Sequence, residues 1–153
     1  MNPQGAHYTL MGIEPLPLRM DKHVENAEAL ASWLETHPAV SAVTYGGLDS
    51  SPYKSRVSKI CPKGAGALFT ISLKGGYEAC TKFVESLKLF SHVANLGDAR
   101  SLVIHPASTT HRQLTPEQQI AAGAAPDTVR LSIGIEGVED LKADLDQALK
   151  AAG

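Results

Sequence analysis

Two histidines, His105 and His111, and five hydroxyl side chains crowd into the stretch SLVIHPASTTHRQLTPEQQ, Ser101 to Gln119. Residues of these types can bind zinc or activate a nucleophile. Their spacing supports neither use. The histidines stand six apart across an irregular loop, with no cysteine or second carboxylate-histidine pair at a ligand spacing. Ser108 lies close to His111, but there is no G-x-S-x-G elbow, and nearness in sequence does not create the geometry of a nucleophile and its base. Hydrogen bonds that stabilise the loop are the expected role of these groups. The glycines of PKGAGALF and LKGGYEA also lack the order of a phosphate loop and read as turns.

Arg130 is the more pointed candidate. The run TVRLSIGI sets Val129, Leu131, Ile133 and Ile135 on one face of a strand and Arg130, Ser132 and Gly134 on the other. A guanidinium in mid-strand, near a hydroxyl-rich loop, can donate two parallel hydrogen bonds to a planar two-oxygen anion, of which a carboxylate is the natural example. An outward strand arginine can equally be solvated or paired with a surface acid. The residues alone leave both readings open.

The elements that must position Arg130 follow from periodicity. Pro3 to Thr36 reads as one long helical element with Val24, Ala27, Leu30, Ala31 and Leu34 at helical spacing, bent or broken at Pro15 and Pro17 and ended at His37-Pro38. Val43 to Tyr45 leads into a Gly46-Gly47 turn, and Ser51-Pro52 predicts a short helix over Pro52 to Ile60. ALFTISL alternates as a half-buried strand, stopped by Gly75-Gly76. Tyr77 to Leu89 carries Cys80, Phe83, Val84 and Leu87 on one helical stripe. Ser101 to Ile104 is a further strand, Thr115-Pro116-Glu117-Gln118 opens a capped helix ending near Gly123, and Val138 to Lys150 is the last helix. Strands separated by helices predict an α+β fold, a small and mostly antiparallel sheet covered by helices on one face.

With 153 residues, 43% of them hydrophobic, the chain has enough apolar content for one core. Its net charge of −2 is spread along the chain and gives no basic field for nucleic acid or anionic lipid. No apolar run nears the ~18–20 residues that cross a bilayer, nor is there a signal-peptide pattern at the start. Cys61 and Cys80 lack C-x-x-C spacing and read as reduced thiols, which points to a cytoplasmic protein.

Four segments together, GIEPLPLRM, KLFSHVANLGD, SLVIHPASTTH and VRLSIGIEGVEDLKADLDQAL, resemble the C-terminal part of the Cys/Met-metabolism pyridoxal-phosphate enzymes over essentially the whole chain. The variant HPASTTHRQLTPEQQIAAG is most similar to the O-acetylhomoserine sulfhydrylase branch; the γ-synthase and lyase branches more often have Met where Thr109 stands. The resemblance implies the C-terminal domain of a fold-type I enzyme that makes homocysteine from O-acetylhomoserine and sulfide. In the family, the arginine of R-L-S-x-G-x-E grips the substrate α-carboxylate, and the serine opening S-L-x-x-H-P-A-S lines the same pocket; those positions are Arg130 and Ser101.

The family's cofactor lysine lies in a Ser-x-Thr-Lys motif of an earlier large domain, and ACTKFVES, with Lys82 on a helix, does not match it. Residues 1–40 would then be the tail of the large domain and the interdomain helix, and 41–153 the substrate-binding domain. The pyridoxal-phosphate domain is expected to be absent from this chain, which would bind no cofactor and show no activity alone. The expected partners are an amino-acid substrate, the missing cofactor domain and further copies of the chain. The alternative is a free-standing amino-acid-binding or interaction module that keeps the fold without the chemistry.

Overall fold

The prolines divide the first element as the sequence predicts. A computed structural model describes residues 1–153 and gives α1 over Pro3–Ile13 and α2 over Leu16–Glu35. Asn2 caps α1 by accepting the Gly5 amide at 2.7 Å, and the Arg19 guanidinium donates to the Gly12 carbonyl at 2.8 Å across the break. α1 buries none of its residues. α2 buries Ala27, Leu30, Ala31 and Leu34, together with two polar side chains, His23 and Asn26.

β1 spans Val40–Thr44 and is followed by α3, Lys54–Ile60. This helix starts two residues later than Pro52, because the Ser51 hydroxyl accepts the Tyr53 amide at 3.3 Å and holds a tight turn there. β2, Leu68–Leu73, buries Phe69, Ile71 and Leu73 as its alternation requires. α4, Gly76–Ser86, buries Cys80, Phe83 and Val84. It stops short of Leu89 because the amides of Lys88, Leu89 and Phe90 turn to the Asp144 carboxylate, at 2.8 to 3.2 Å.

A two-residue strand, β3 at Ser91–His92, was not foreseen from the sequence. β4 is Leu102–Ile104 and is followed by a single 3-10 turn over Pro106–Ser108. α5, Pro116–Ala121, carries the reciprocal capping box of Thr115 and Gln118. β5 is Thr128–Ser132 and α6 is Val138–Ala152. Ile135 falls beyond the strand and is exposed, since the chain turns away after Ile133.

The sheet order is β1-β2-β5-β4-β3, antiparallel except for the β3–β4 pair. One core cluster joins the sheet's apolar face to α2, α4 and α6 through Leu30, Leu34, Phe83, Val129, Leu131, Ile133, Leu141 and Leu145. The α+β architecture with helices on one face is therefore observed. Both cysteines are free, Cys80 within the core and Cys61 exposed. No helix is long and apolar enough to cross a membrane.

Candidate functional site

With Val129 and Leu131 fixed in the core, strand alternation turns Arg130 to the helix-free face. Register places it between Thr70 of β2 and Ile104 of β4. Its strand neighbours on that face, Thr128 and Ser132, are buried, while Arg130 itself is half-buried. The ion pairs of the chain, such as Lys22 with Glu25 and Arg100 with Asp98, do not include Arg130. Its one hydrogen bond runs from Nη2 to the Asn95 carbonyl at 3.3 Å. A fork of five donors with one weak partner retains capacity for a two-oxygen anion.

Asn95 belongs to a strap of backbone between β3 and β4 that crosses this face. The strap follows β5 and its exit step by step: Arg130 donates to Asn95, the Gly97 amide to Ser132 Oγ at 3.4 Å, and the Ile135 amide to the Ala99 carbonyl at 2.9 Å. The amides of Leu96, Asp98 and Ala99 have no partner within the chain. Beside the strap lies a cavity of about 220 Å³ lined by Met20, His23, Ala67, Leu68, Leu96, Gly97 and Ser132. Arg100 holds the Asp98 carboxyl below its ordinary range, first through its backbone amide and then through its side chain.

Ser101 ends the strap and is fully buried. Its amide donates to Glu136 Oε1 at 2.6 Å and its hydroxyl to Glu136 Oε2 at 2.9 Å, while its oxygen accepts the Gly134 amide at 2.8 Å. Arg130 is opposite Ile104, three residues from Ser101, roughly 10 Å at the strand rise. The structure thus brings Arg130 and Ser101 to two ends of one strap and not into contact.

Sequence reasoning missed the groups that hold this region. His23 Nδ1 meets the Ile133 carbonyl at 2.6 Å, so that nitrogen carries the proton. Asn26 Nδ2 donates to the carbonyls of Gly134 at 3.1 Å and Glu136 at 2.8 Å, and its buried Oδ1 has no partner. The available signal was a histidine and an asparagine three apart on the apolar face of α2, where polar residues need partners.

The hydroxyl-rich loop bonds mainly to itself. His105 Nε2 donates to the Pro126 carbonyl at 2.8 Å, which leaves Nδ1 to accept from the Ser108 hydroxyl at 2.9 Å. Tyr77 packs edge-on against the His105 ring at 4.9 Å. Burial, above all, lowers the His105 pKa from its ordinary value. Thr109 Oγ1 donates to the His105 carbonyl and Gln119 Nε2 to the carbonyls of Ala107 and His111. The His111 ring meets only the Thr110 hydroxyl, and no set of three ligand side chains converges on a metal position.

The residues around Arg130 do not form a pyridoxal-phosphate cradle. No lysine lines the adjacent cavity, and Lys82 sits exposed on α4, across the sheet from Arg130. What they offer is a guanidinium and backbone donors, a site for an anionic end of a small molecule.

Comparison with known proteins converges on one group. The family profile described as Cys/Met metabolism PLP-dependent enzyme matches residues 1–150. O-acetyl-L-homoserine sulfhydrylase 1 of Thermus thermophilus is 52% identical over 149 residues, covering 97% of this chain and 35% of that protein. Homocysteine synthase of Schizosaccharomyces pombe is 48% identical over 151 residues, covering 99% of this chain and 35% of that protein. The crystal structure of a putative O-acetylhomoserine (thiol)-lyase from Campylobacter jejuni, which contains a pyridoxyl-lysine monophosphate, superposes with a TM-score of 0.89 at 43% identity, covering 97% of this chain and 35% of that one. The chain thus spans about a third of the length of the relatives it matches.

Proposed function

This chain belongs to the Cys/Met metabolism PLP-dependent enzyme family, and on that footing we propose that it supplies the substrate-carboxylate side of a sulfhydrylase that makes homocysteine from O-acetylhomoserine and sulfide. The observation that carries the reading is Arg130, half-buried on the helix-free face, unpaired with any acid and bound only to the Asn95 carbonyl. Its fork receives the α-carboxylate of the amino acid, and the strap beside it shields that ion pair from water and strengthens it. Pyridoxal phosphate supplies the electron sink for the chemistry at the substrate carbons when it is bound. The residues that hold it belong to the remaining two-thirds of such an enzyme, and this chain alone is inactive. The complete enzyme works in the cytoplasm.

A second reading, a free-standing amino-acid-binding module, draws on the self-contained core that α2, α4 and α6 form with the sheet. One experiment separates the two. The purified chain is mixed with a matching cofactor-binding domain and pyridoxal phosphate, and homocysteine is assayed from O-acetylhomoserine and sulfide. Turnover in the mixture and none from the chain alone is expected. Selective amino-acid binding by the chain alone, with no turnover in an assembled mixture, would establish the binding module instead.

A further inference from the structure

We propose that Glu136 is a positioning residue, a latch that closes the strap of residues 95–101 over Arg130; its consequence for substrate rests on the carboxylate role proposed above. Both oxygens of this half-buried carboxylate are taken by a single residue, the amide and hydroxyl of Ser101, and no lysine or arginine pairs with it. A carboxylate held without a cation needs such donors, and the bonds it accepts are stronger than neutral ones. The Ser101 oxygen in turn accepts the Gly134 amide, so strap, carboxylate and the exit of β5 close into one ring.

The ring is also braced from behind. Asn26 of α2 donates to the Glu136 carbonyl, and Gly134 is packed so tightly that an added Cβ would lie 2.3 Å from Glu136 Oε2 and 2.4 Å from the Ala99 carbonyl. From Asn95 to Gly97 the strap is weakly held. Its bonds to Arg130 and Ser132 are 3.3 and 3.4 Å long, Gly97 turns at φ +76, and Leu96 is 61% exposed. The carbonyl that steers the Arg130 guanidinium therefore sits on a segment tied to the β5 exit by Glu136 and by the Ile135 amide on the Ala99 carbonyl at 2.9 Å. Ser101, by this geometry, acts on substrate through the latch.

The test uses Glu136→Gln, which keeps an acceptor for the Ser101 amide and loses the one for its hydroxyl, with Ser101→Ala as the second variant. In the enzyme completed by its cofactor-binding domain, each raises KM for O-acetylhomoserine by about tenfold, the equivalent of one charge-assisted hydrogen bond, with kcat little changed. The double variant is no worse than the poorer single one, because both open the same ring. With the α-carboxyl of the substrate esterified, Glu136→Gln leaves KM unchanged; an equal loss for acid and ester would show a merely structural role and overturn the proposal. In the chain itself, amide hydrogen exchange at Ser101 and at Ile135, whose amide donates to the strap's Ala99 carbonyl, speeds up in Glu136→Gln while the thermal midpoint holds. Unchanged exchange there overturns the latch even if the completed enzyme proves inactive, an outcome that would instead count against the proposed function.

Discussion

On one face of the sheet Val129, Leu131 and Ile133 are sealed against α2, α4 and α6; on the other Arg130 and Ser132 lie under a strap whose own residues are mostly exposed. The first face is held by many interchangeable apolar contacts, each roughly proportional to area. The second is held by a few directional bonds: Arg130 to Asn95, Gly97 to Ser132, Ser101 to Glu136. Stability thus resides on one face and the proposed carboxylate site on the other, within the thickness of a single strand. Substitutions should separate them.

The largest effect is expected in the core. Phe83 is fully buried between α4, α6 and the sheet, and Phe83→Ala should cost about 3–5 kcal/mol through lost transfer energy and the cavity left behind. Urea unfolding measures it. The folded fraction should keep the proposed carboxylate site; a change of substrate preference in the completed enzyme beyond the loss of folded protein would show that the two faces are coupled.

Arg130→Ala should do the reverse. Removing a charged clamp worth ~1.5–3 kcal/mol should lower kcat/KM for O-acetylhomoserine roughly tenfold or more in the completed enzyme. Stability should move by no more than about 0.5 kcal/mol, since the side chain lies off the apolar face. Arg130→Lys should recover only part, because an ammonium keeps the charge and loses the planar fork. Ser101→Ala should cost less than Arg130→Ala. An unchanged kcat/KM, or simple unfolding, would return Arg130 to the role of a solvated strand residue.

The apolar face was largely legible in the sequence and the polar face was not, for a physical reason. Burial writes a local period: Phe69, Ile71 and Leu73 alternate, Cys80, Phe83 and Val84 follow a helical stripe, and Thr115 to Gln118 is a complete cap within four residues. Arg130 was visible because it interrupts such a period. Its surroundings depend on contacts without a local signature. His23 reaches Ile133 across 110 residues, Asn26 reaches Glu136 across another 110, and Asp144 ends α4 from 54 to 56 residues away. β3 is two residues long and exists only because β4 lies beside it. The late start of α3 and the exposure of Ile135 likewise reflect turn geometry that a periodic pattern does not encode.

A third surface stands outside the comparison and sharpens it. α1 buries nothing, and Leu10, Met11 and Ile13 are 54% to 61% exposed, joined by Leu18 at 74%. Exposed apolar side chains in this number seek a partner. The chain alone should self-associate, and Leu10→Glu with Ile13→Glu should restore monomers while leaving unfolding of the core unchanged. Sedimentation velocity at high concentration reads the outcome, and monodisperse wild-type monomer would count against it.

The smallest expected effect concerns His105, where the polar loop is buried as deeply as the core. The folded protein holds its imidazole neutral: Nε2 donates to Pro126, Nδ1 accepts from Ser108, and Tyr77 closes the site. Burial lowers its pKa, His92 lowers it further, and the Pro126 carbonyl and Asp127 only partly oppose this. In the unfolded chain the same ring titrates near its ordinary value of about 6.5. Between the lowered folded value and that ordinary one, the unfolded state binds more protons, so stability rises with pH. The contribution of His105 is fully present above the ordinary value, declines as pH falls through the window at no more than about 1.4 kcal/mol per pH unit, and is lost once the folded value is passed. His105→Gln should flatten this part of the urea midpoint plotted against pH. If His105→Gln leaves the profile unchanged, the buried loop behaves as surface, and the division between a sealed interior and a hydrogen-bonded periphery does not extend to His105.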